Sequence, residues 1–259
     1  MKILRSLVTS TWPVERAPLG HKPHRSRLLL PAALVGVLAL GAFLATGVVS
    51  EVPGIDDQAA LIEYGIIGRG DLGQAGVLDH RGQRELLTRI VRQVHAAVPR
   101  LEALPNGQPR EPRAVLQAGS GVCFDRSRVI EQAARLAGFD VRRAFVLYGG
   151  WSKLLAAGGP THTLVEVRTN QGWVALGTLT SMTGYAEDGK VWSVQDLRAD
   201  AAVGGRQLQA NGWREIIATD FQPIYGLYSR HGGQYPPYTP VPDFSPRQML
   251  QAWLSDTSG

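Results

Sequence analysis

The chain has 259 residues and only one cysteine, Cys123, so it cannot close an internal disulfide. Its six histidines are scattered, and one cysteine among them gives no ligand spacing for zinc or another metal. No metal or other cofactor is therefore expected. Repeats and low-complexity runs are absent, which excludes solenoid and fibrous architectures. The body of the chain also lacks a basic surplus. The net charge of +5 arises within residues 1 to 27, where six Lys and Arg face only Glu15; the remainder holds 21 basic and 21 acidic residues. A nucleic-acid partner is not expected without a basic footprint on the folded part. Stability has to come from burial, for which a chain of this length with 44% hydrophobic residues is sufficient.

Residues 28 to 49, LLLPAALVGVLALGAFLATGVV, carry no charge. At helical rise, 22 residues reach roughly 33 Å, close to the hydrocarbon thickness of a bilayer. The run is longer than the apolar part of a cleavable signal peptide, and no small-x-small site follows it. The reading is one uncleaved transmembrane helix. With the basic flank on its amino-terminal side, residues 1 to 27 form a cytoplasmic tail and the rest faces the opposite side. For a bacterium this means a single-pass inner-membrane protein with a periplasmic or extracellular domain.

Residues 50 to 80 are rich in Gly and Asp and read as an irregular approach segment. Residues 81 to 101 repeat Leu86, Leu87, Ile90, Val91, Val94, Val98 and Leu101 at helical steps. A second helix begins near Cys123, after Gly119, Ser120 and Gly121, and stops at Gly138. Residues 140 to 148, 161 to 169 and 172 to 180 alternate β-branched and apolar residues between turns and read as strands. Residues 193 to 203 and the last ten suggest further helices. Helices followed by antiparallel strands give an α+β fold with the thiol at a helix start facing a sheet.

A helix amino terminus favours a thiolate through its free N–H groups and partial positive charge. The candidate base is His162, at the start of the middle strand, where its ring can point away from the core face of Val165 and Val167. The stretches SGVCFDRSRVIEQAARLAGFDVR and THTLVEVRTNQGWVALG resemble the core of the transglutaminase-like superfamily of papain-type cysteine enzymes. The resemblance implies that Cys123 is the nucleophile and His162 the general base and later acid. Arg142, Glu166 and Trp173 would occupy framework positions. The family's third residue, an Asp, falls on Gly177. Candidates to orient His162 instead are Asp188 and Asp196, and Gln117 is a candidate oxyanion-hole residue, six positions before the thiol.

The domain reading is a tail at 1–27, an anchor at 28–49, a linker at 50–80, a transglutaminase-like domain at 81–220, and an aromatic, Pro-rich extension at 221–259 packed on it. The functional reading is a cysteine-dependent amide or ester hydrolase or acyl transferase acting on an envelope peptide, protein or glycan. The alternative is an inactive transglutaminase-like binding or assembly module of an envelope complex. Tyr225, Tyr228, Tyr235, Tyr238 and Arg230 of the extension suit either ligand contacts or a structural wrap.

Overall fold

A computed structural model describes residues 48–105, 107–148, 161–186, 189–202, 221–228 and 243–256, together with 36, 37 and 41. Met1–Ala42 and Phe43–Gly259 are separate compact units. The expected membrane span lies outside the described residues except at 36, 37, 41, 48 and 49. Among the described residues no helix is long and apolar enough to cross a membrane. Val49, expected at the end of the span, is buried in the second unit and donates its N–H to Phe244 O at 2.9 Å.

The segment 50–80 is not irregular. It contains helix α1 (Ile55–Glu63) and two 3₁₀ turns (Arg69–Asp71 and Gln74–Gly76), and it places Leu61, Ile66 and Ile67 in the main core. Its apolar residues are spaced too irregularly to show a period: Leu61, Ile66 and Ile67 are fully buried, whereas Val52, Ile55 and Val77 are exposed. Helix α2 (His80–Ala97) follows the expected periodicity and is capped by Asp79, whose carboxylate accepts from Gly82 N–H. The short α3 (Pro112–Ala118) starts with proline in its first turn and ends on Gly119 at φ +57°.

Helix α4 (Cys123–Leu136) is central. It packs on strands β1 (Asp140–Tyr148) and β2 (Thr161–Thr169) and against α1, α2 and α3. The apolar face, with Ile130, Ala134 and Ala137, is buried as expected, but so is every other residue from Asp125 to Ala134. Gly138, at φ +93°, ends it where a side chain would meet the Gly73 backbone.

Strand β3 (Gly172–Leu176) and β4 (Phe221–Tyr225) complete an antiparallel sheet in the order β3-β2-β1-β4. Thus the first described part of the carboxy-terminal extension is a strand of the sheet itself, with Ala144 opposite Tyr225 and Tyr148 opposite Phe221. After α5 (Val194–Ala202), β5 (Leu227–Tyr228) and β6 (Asp243–Phe244) make a small ribbon, and α6 (Pro246–Asp256) ends the described chain. Strand alternation separates two cores. Val141, Val165, Val167, Val174 and Leu176 face the helices, whereas Ala144, Val146, Leu164, Phe221 and Tyr225 face Trp192, Val194 and Leu197.

Candidate active site

Gly121 and Asp125 build the turn that presents the thiol. Asp125 is fully buried; it accepts from Val122 N–H at 3.0 Å and from Arg110 Nη1 at 2.5 Å. A Cβ on Gly121 would stand 2.8 Å from the Asp125 Cβ, so glycine is required for this approach. The chain therefore enters α4 in one fixed geometry, with Cys123 as the first helical residue and partly open to solvent.

The residue of β2 that meets the thiol is Thr163. Its backbone and hydroxyl, with the Arg143 guanidinium, favour the thiolate, but burial dominates and pushes the Cys123 thiol above its ordinary value. This corrects the expectation that the helix terminus would lower it. Desolvation of the charged form exceeds the stabilisation from partial charges at one helix end.

His162 is buried and, by strand alternation, shares the face of Leu164 and Glu166. It points away from Val165 and Val167 as expected, and that is the opposite side of the sheet from α4. Burial pushes its imidazole down to about 3. Among the described residues no hydrogen bond joins His162 to Cys123 or to a carboxylate. Residues 161–164 extend beyond the first β3 pairing, Val165 with Leu176, which leaves that end of β2 without a β3 neighbour.

Gly177 cannot be replaced by an orienting acid. Its N–H donates to Met182 O at 2.8 Å, and a Cβ would lie 2.7 Å from Thr180 O and 3.0 Å from Met182 O. The adjoining Thr178 hydroxyl donates to Thr163 O at 2.6 Å, so this turn is fastened to the strand beside the thiol. Asp196 caps α5 in a reciprocal box: it accepts from Ser193 N–H and Oγ, while Ser193 Oγ accepts from Asp196 N–H. It makes no hydrogen bond to His162. Asp188 lies outside the described residues. Gln117 is exposed near the end of α3, with no hydrogen bond to the thiol turn.

The framework residues do meet. Arg142 Nε donates to Glu166 at 2.5 Å, and its guanidinium lies 4.1 Å from the ring centres of both Trp173 and Tyr225. Glu166 also accepts from Val194 N–H at 2.6 Å, tying α5 to the sheet. The remaining buried polar groups converge on Glu131. Arg128 and Arg135 pair with it, and Tyr228 Oη donates to it at 2.5 Å. Gln248 joins this cluster through Glu131 and Tyr228 and accepts from Arg143 N–H. The aromatic extension is structural at Tyr225 and Tyr228; Tyr235, Tyr238 and Arg230 lie outside the described residues.

Arg126, Arg143 and Thr163 were not legible as site residues. A charged side chain one turn into an amphipathic helix reads as solvated, and only knowledge that α4 is surrounded reverses that.

No metal-binding group of three or more His, Cys, Asp or Glu occurs among the described residues. Residues 75–178 match the model of the transglutaminase-like superfamily, a range that contains Cys123, His162 and the Gly177 turn. No curated protein and no solved structure matches the chain.

Proposed function

We propose that this chain, with a transglutaminase-like domain at residues 75–178, is a membrane-anchored cysteine acyl-transfer enzyme, a hydrolase or transferase of amides or esters in the cell envelope. The observation that carries the reading is the position of Cys123. The sole thiol starts the central helix, is partly open to solvent, and rests on Thr163, the strand neighbour of His162. The apolar run at residues 28–47, ending before the Val48–Phe244 bridge of the folded unit, forms the anchor, residues 1–27 stay in the cytoplasm, and the folded domain works on the other side of the inner membrane on an envelope peptide, protein or glycan.

Chemically, Sγ attacks the carbonyl carbon while His162 takes the thiol proton. The proton is returned to the departing amine or alcohol, leaving a thioester on Cys123. Water or an amine then releases the acyl group and regenerates the thiol. Because burial raises the thiol and lowers the imidazole, the resting pair is neutral. The proton moves during attack, in the manner of a hydroxyl nucleophile. For this the imidazole must reach Sγ around the end of β2, beside the Thr178 hydroxyl that is bonded to Thr163 O.

A second reading rests on Gly177. With no room for a side chain there and no carboxylate bonded to His162 among the described residues, the domain would bind an envelope peptide or glycan without turning it over, as a binding or assembly module. Intact-mass measurement after incubation with p-nitrophenyl acetate separates the two. The enzyme reading requires one hydroxylamine-labile acetyl group on Cys123, absent in Cys123→Ala. A chain that stays unmodified supports the binding module.

A further inference from the structure

The described part of the chain buries five arginines (Arg110, Arg126, Arg128, Arg142 and Arg143) and three acids (Asp125, Glu131 and Glu166). The acids are taken in order: Arg110 pairs with Asp125, Arg128 with Glu131, and Arg142 with Glu166. Arg126 and Arg143 remain. Neither has a carboxylate within ion-pair distance among the described residues, although only 4% and 3% of their surfaces are exposed. A buried cation left without an anion is costly, by several kcal/mol in general.

Both cations act on the same thiol. Arg126 lies one turn beyond Cys123 on α4, and Arg143 Nη2 donates at 3.0 Å to the carbonyl of Phe124, the residue after the thiol. The donors of Arg126 go to main-chain oxygens, Val98 O at 2.7 Å with Thr178 O and Pro99 O at 3.5 Å, and its Nη1 also lies 3.4 Å from His95 Nδ1. Arg143 lies 4.7 Å from the Tyr228 ring centre. In both, the Nε is buried without a hydrogen-bond partner. Two arginines, each with one orphaned donor, therefore act on a thiol that is partly open to solvent. Arg143 and Arg126 both interact electrostatically with Cys123. Asp125 acts on Arg126 and Glu131 on Arg143, but each of these acids forms its ion pairs with other arginines, and burial disfavours the thiolate.

We propose that Arg126 and Arg143 form a carboxylate subsite beside Cys123, and that the acyl donor carries a carboxylate close to its reacting carbonyl. This deepens the acyl-transfer reading and rests on it for the word donor. The subsite itself stands on the unpaired charges. A carboxylate matches the planar guanidinium fork and would neutralise charge that the fold leaves open. An uncharged acyl donor would leave both cations buried and unpaired.

The test compares alkylation of Cys123 by iodoacetate and by iodoacetamide, and needs no turnover. Both reagents lose iodide to the same sulfur, so at one pH their rate ratio is independent of the thiolate fraction. The reference is the same chain denatured in urea. The subsite predicts an iodoacetate-to-iodoacetamide ratio at least about tenfold higher in the folded protein than in the denatured chain. The ratio should fall to the denatured value in Arg126→Met/Arg143→Met and recover in the two Lys variants. The Met variants should melt no lower than the wild type, since they remove unpaired buried charge. A folded-state ratio at or below the denatured one, or a thiol closed to iodoacetate while iodoacetamide enters, overturns the proposal. So does a thiol closed to both reagents. Failure to form the acetyl thioester together with a raised ratio would reject the enzyme reading and leave the subsite standing.

Discussion

Thr163 and Cys123 meet across the interface between α4 and the sheet, with the Thr163 main chain and hydroxyl both turned towards the sulfur. His162, one residue earlier on β2, stands on the other face. The strand period of two makes this unavoidable for any pair of neighbours. Nucleophile and base are brought close in the chain direction but separated by the sheet, and they can meet only around the end of β2.

The buried thiol should be slow to ionise. Iodoacetamide labelling of Cys123 is expected to rise with pH through a midpoint above about 8.5, the ordinary value for a free cysteine. Arg143→Met should move that midpoint further up, because one of the groups favouring the thiolate is lost. Rates followed from pH 6 to 10 with mass detection of the modified residue measure both.

The buried histidine makes stability depend on pH. In the unfolded chain the imidazole binds a proton below about 6.5, whereas in the folded chain it remains neutral down to about 3. The unfolded state then binds more protons, so the folded state loses stability as pH falls through this window. The slope from one such group is about 1.4 kcal/mol per pH unit. His95, also lowered by burial and by Arg126, acts in the same direction. Urea unfolding between pH 6 and 4.5 should show a shallower loss in His162→Gln than in the wild type.

At Gly177, alanine is expected to cost about 1 to 3 kcal/mol, because its methyl meets two main-chain oxygens rather than a movable side chain. Gly177→Asp should be at least as harmful and should not raise thiol reactivity. Thermal melts of the two variants, with the alkylation rate of whichever remains folded, decide this. A stable Asp variant with a faster thiol would show that the turn can open to admit an orienting acid.

Glu131, a fully buried residue of α4, is the centre of its ion pairs with Arg128 and Arg135. Burial alone would raise its carboxyl, but Arg128 and Arg135, with the Tyr228 hydroxyl, hold it below the usual range. Its stabilisation is present above about pH 4.3 and is lost as pH falls through its lower folded-state value. Glu131→Gln removes the fully buried partner of Arg128 and Arg135, which keep only the more exposed Glu111 and Glu51, and is expected to cost about 3 kcal/mol in urea unfolding. Tyr228→Phe removes only one donor and should cost about 1 to 3 kcal/mol.

Much of the framework was legible because it depends on local pattern. The helix at His80–Ala97, the start of α4 at Cys123, its stop at Gly138 and the three strands after it follow from period and turn chemistry, although the helix ends before the expected Leu101 and the third strand stops at Leu176, four residues short of 180. The short α3, lacking enough residues to show a period, was not. Long-range pairing was also invisible: β4 lies beside β1 although some seventy positions later in sequence, and Val49 belongs to the folded unit rather than to the apolar run that precedes it. In the site, the thiol and its helix could be located, but not the sign of the thiol's shift. That sign depends on how much water α4 loses from all sides. The same burial hid Arg126 and Arg143, whose charge suggested solvent until every neighbouring surface was placed.

The anchor predicts opposite accessibility for the two chain ends. In a Cys123→Ala background, Ser255→Cys should react with an impermeant maleimide in intact cells, and Ser6→Cys only after lysis. Equal labelling of both would contradict the single span with the amino terminus inside.

The central claim is that Cys123 is acylated with His162 as its base, and the second-order rate of acetylation by p-nitrophenyl acetate tests it most directly in the wild type, His162→Ala and Thr163→Val. General-base assistance contributes about 10² to 10⁴ in rate. The account predicts a loss of at least about 10²-fold in folded His162→Ala and a much smaller change in Thr163→Val. Equal rates in the wild type and His162→Ala would contradict it, and would leave a thiol that reacts on its own in a domain built to bind.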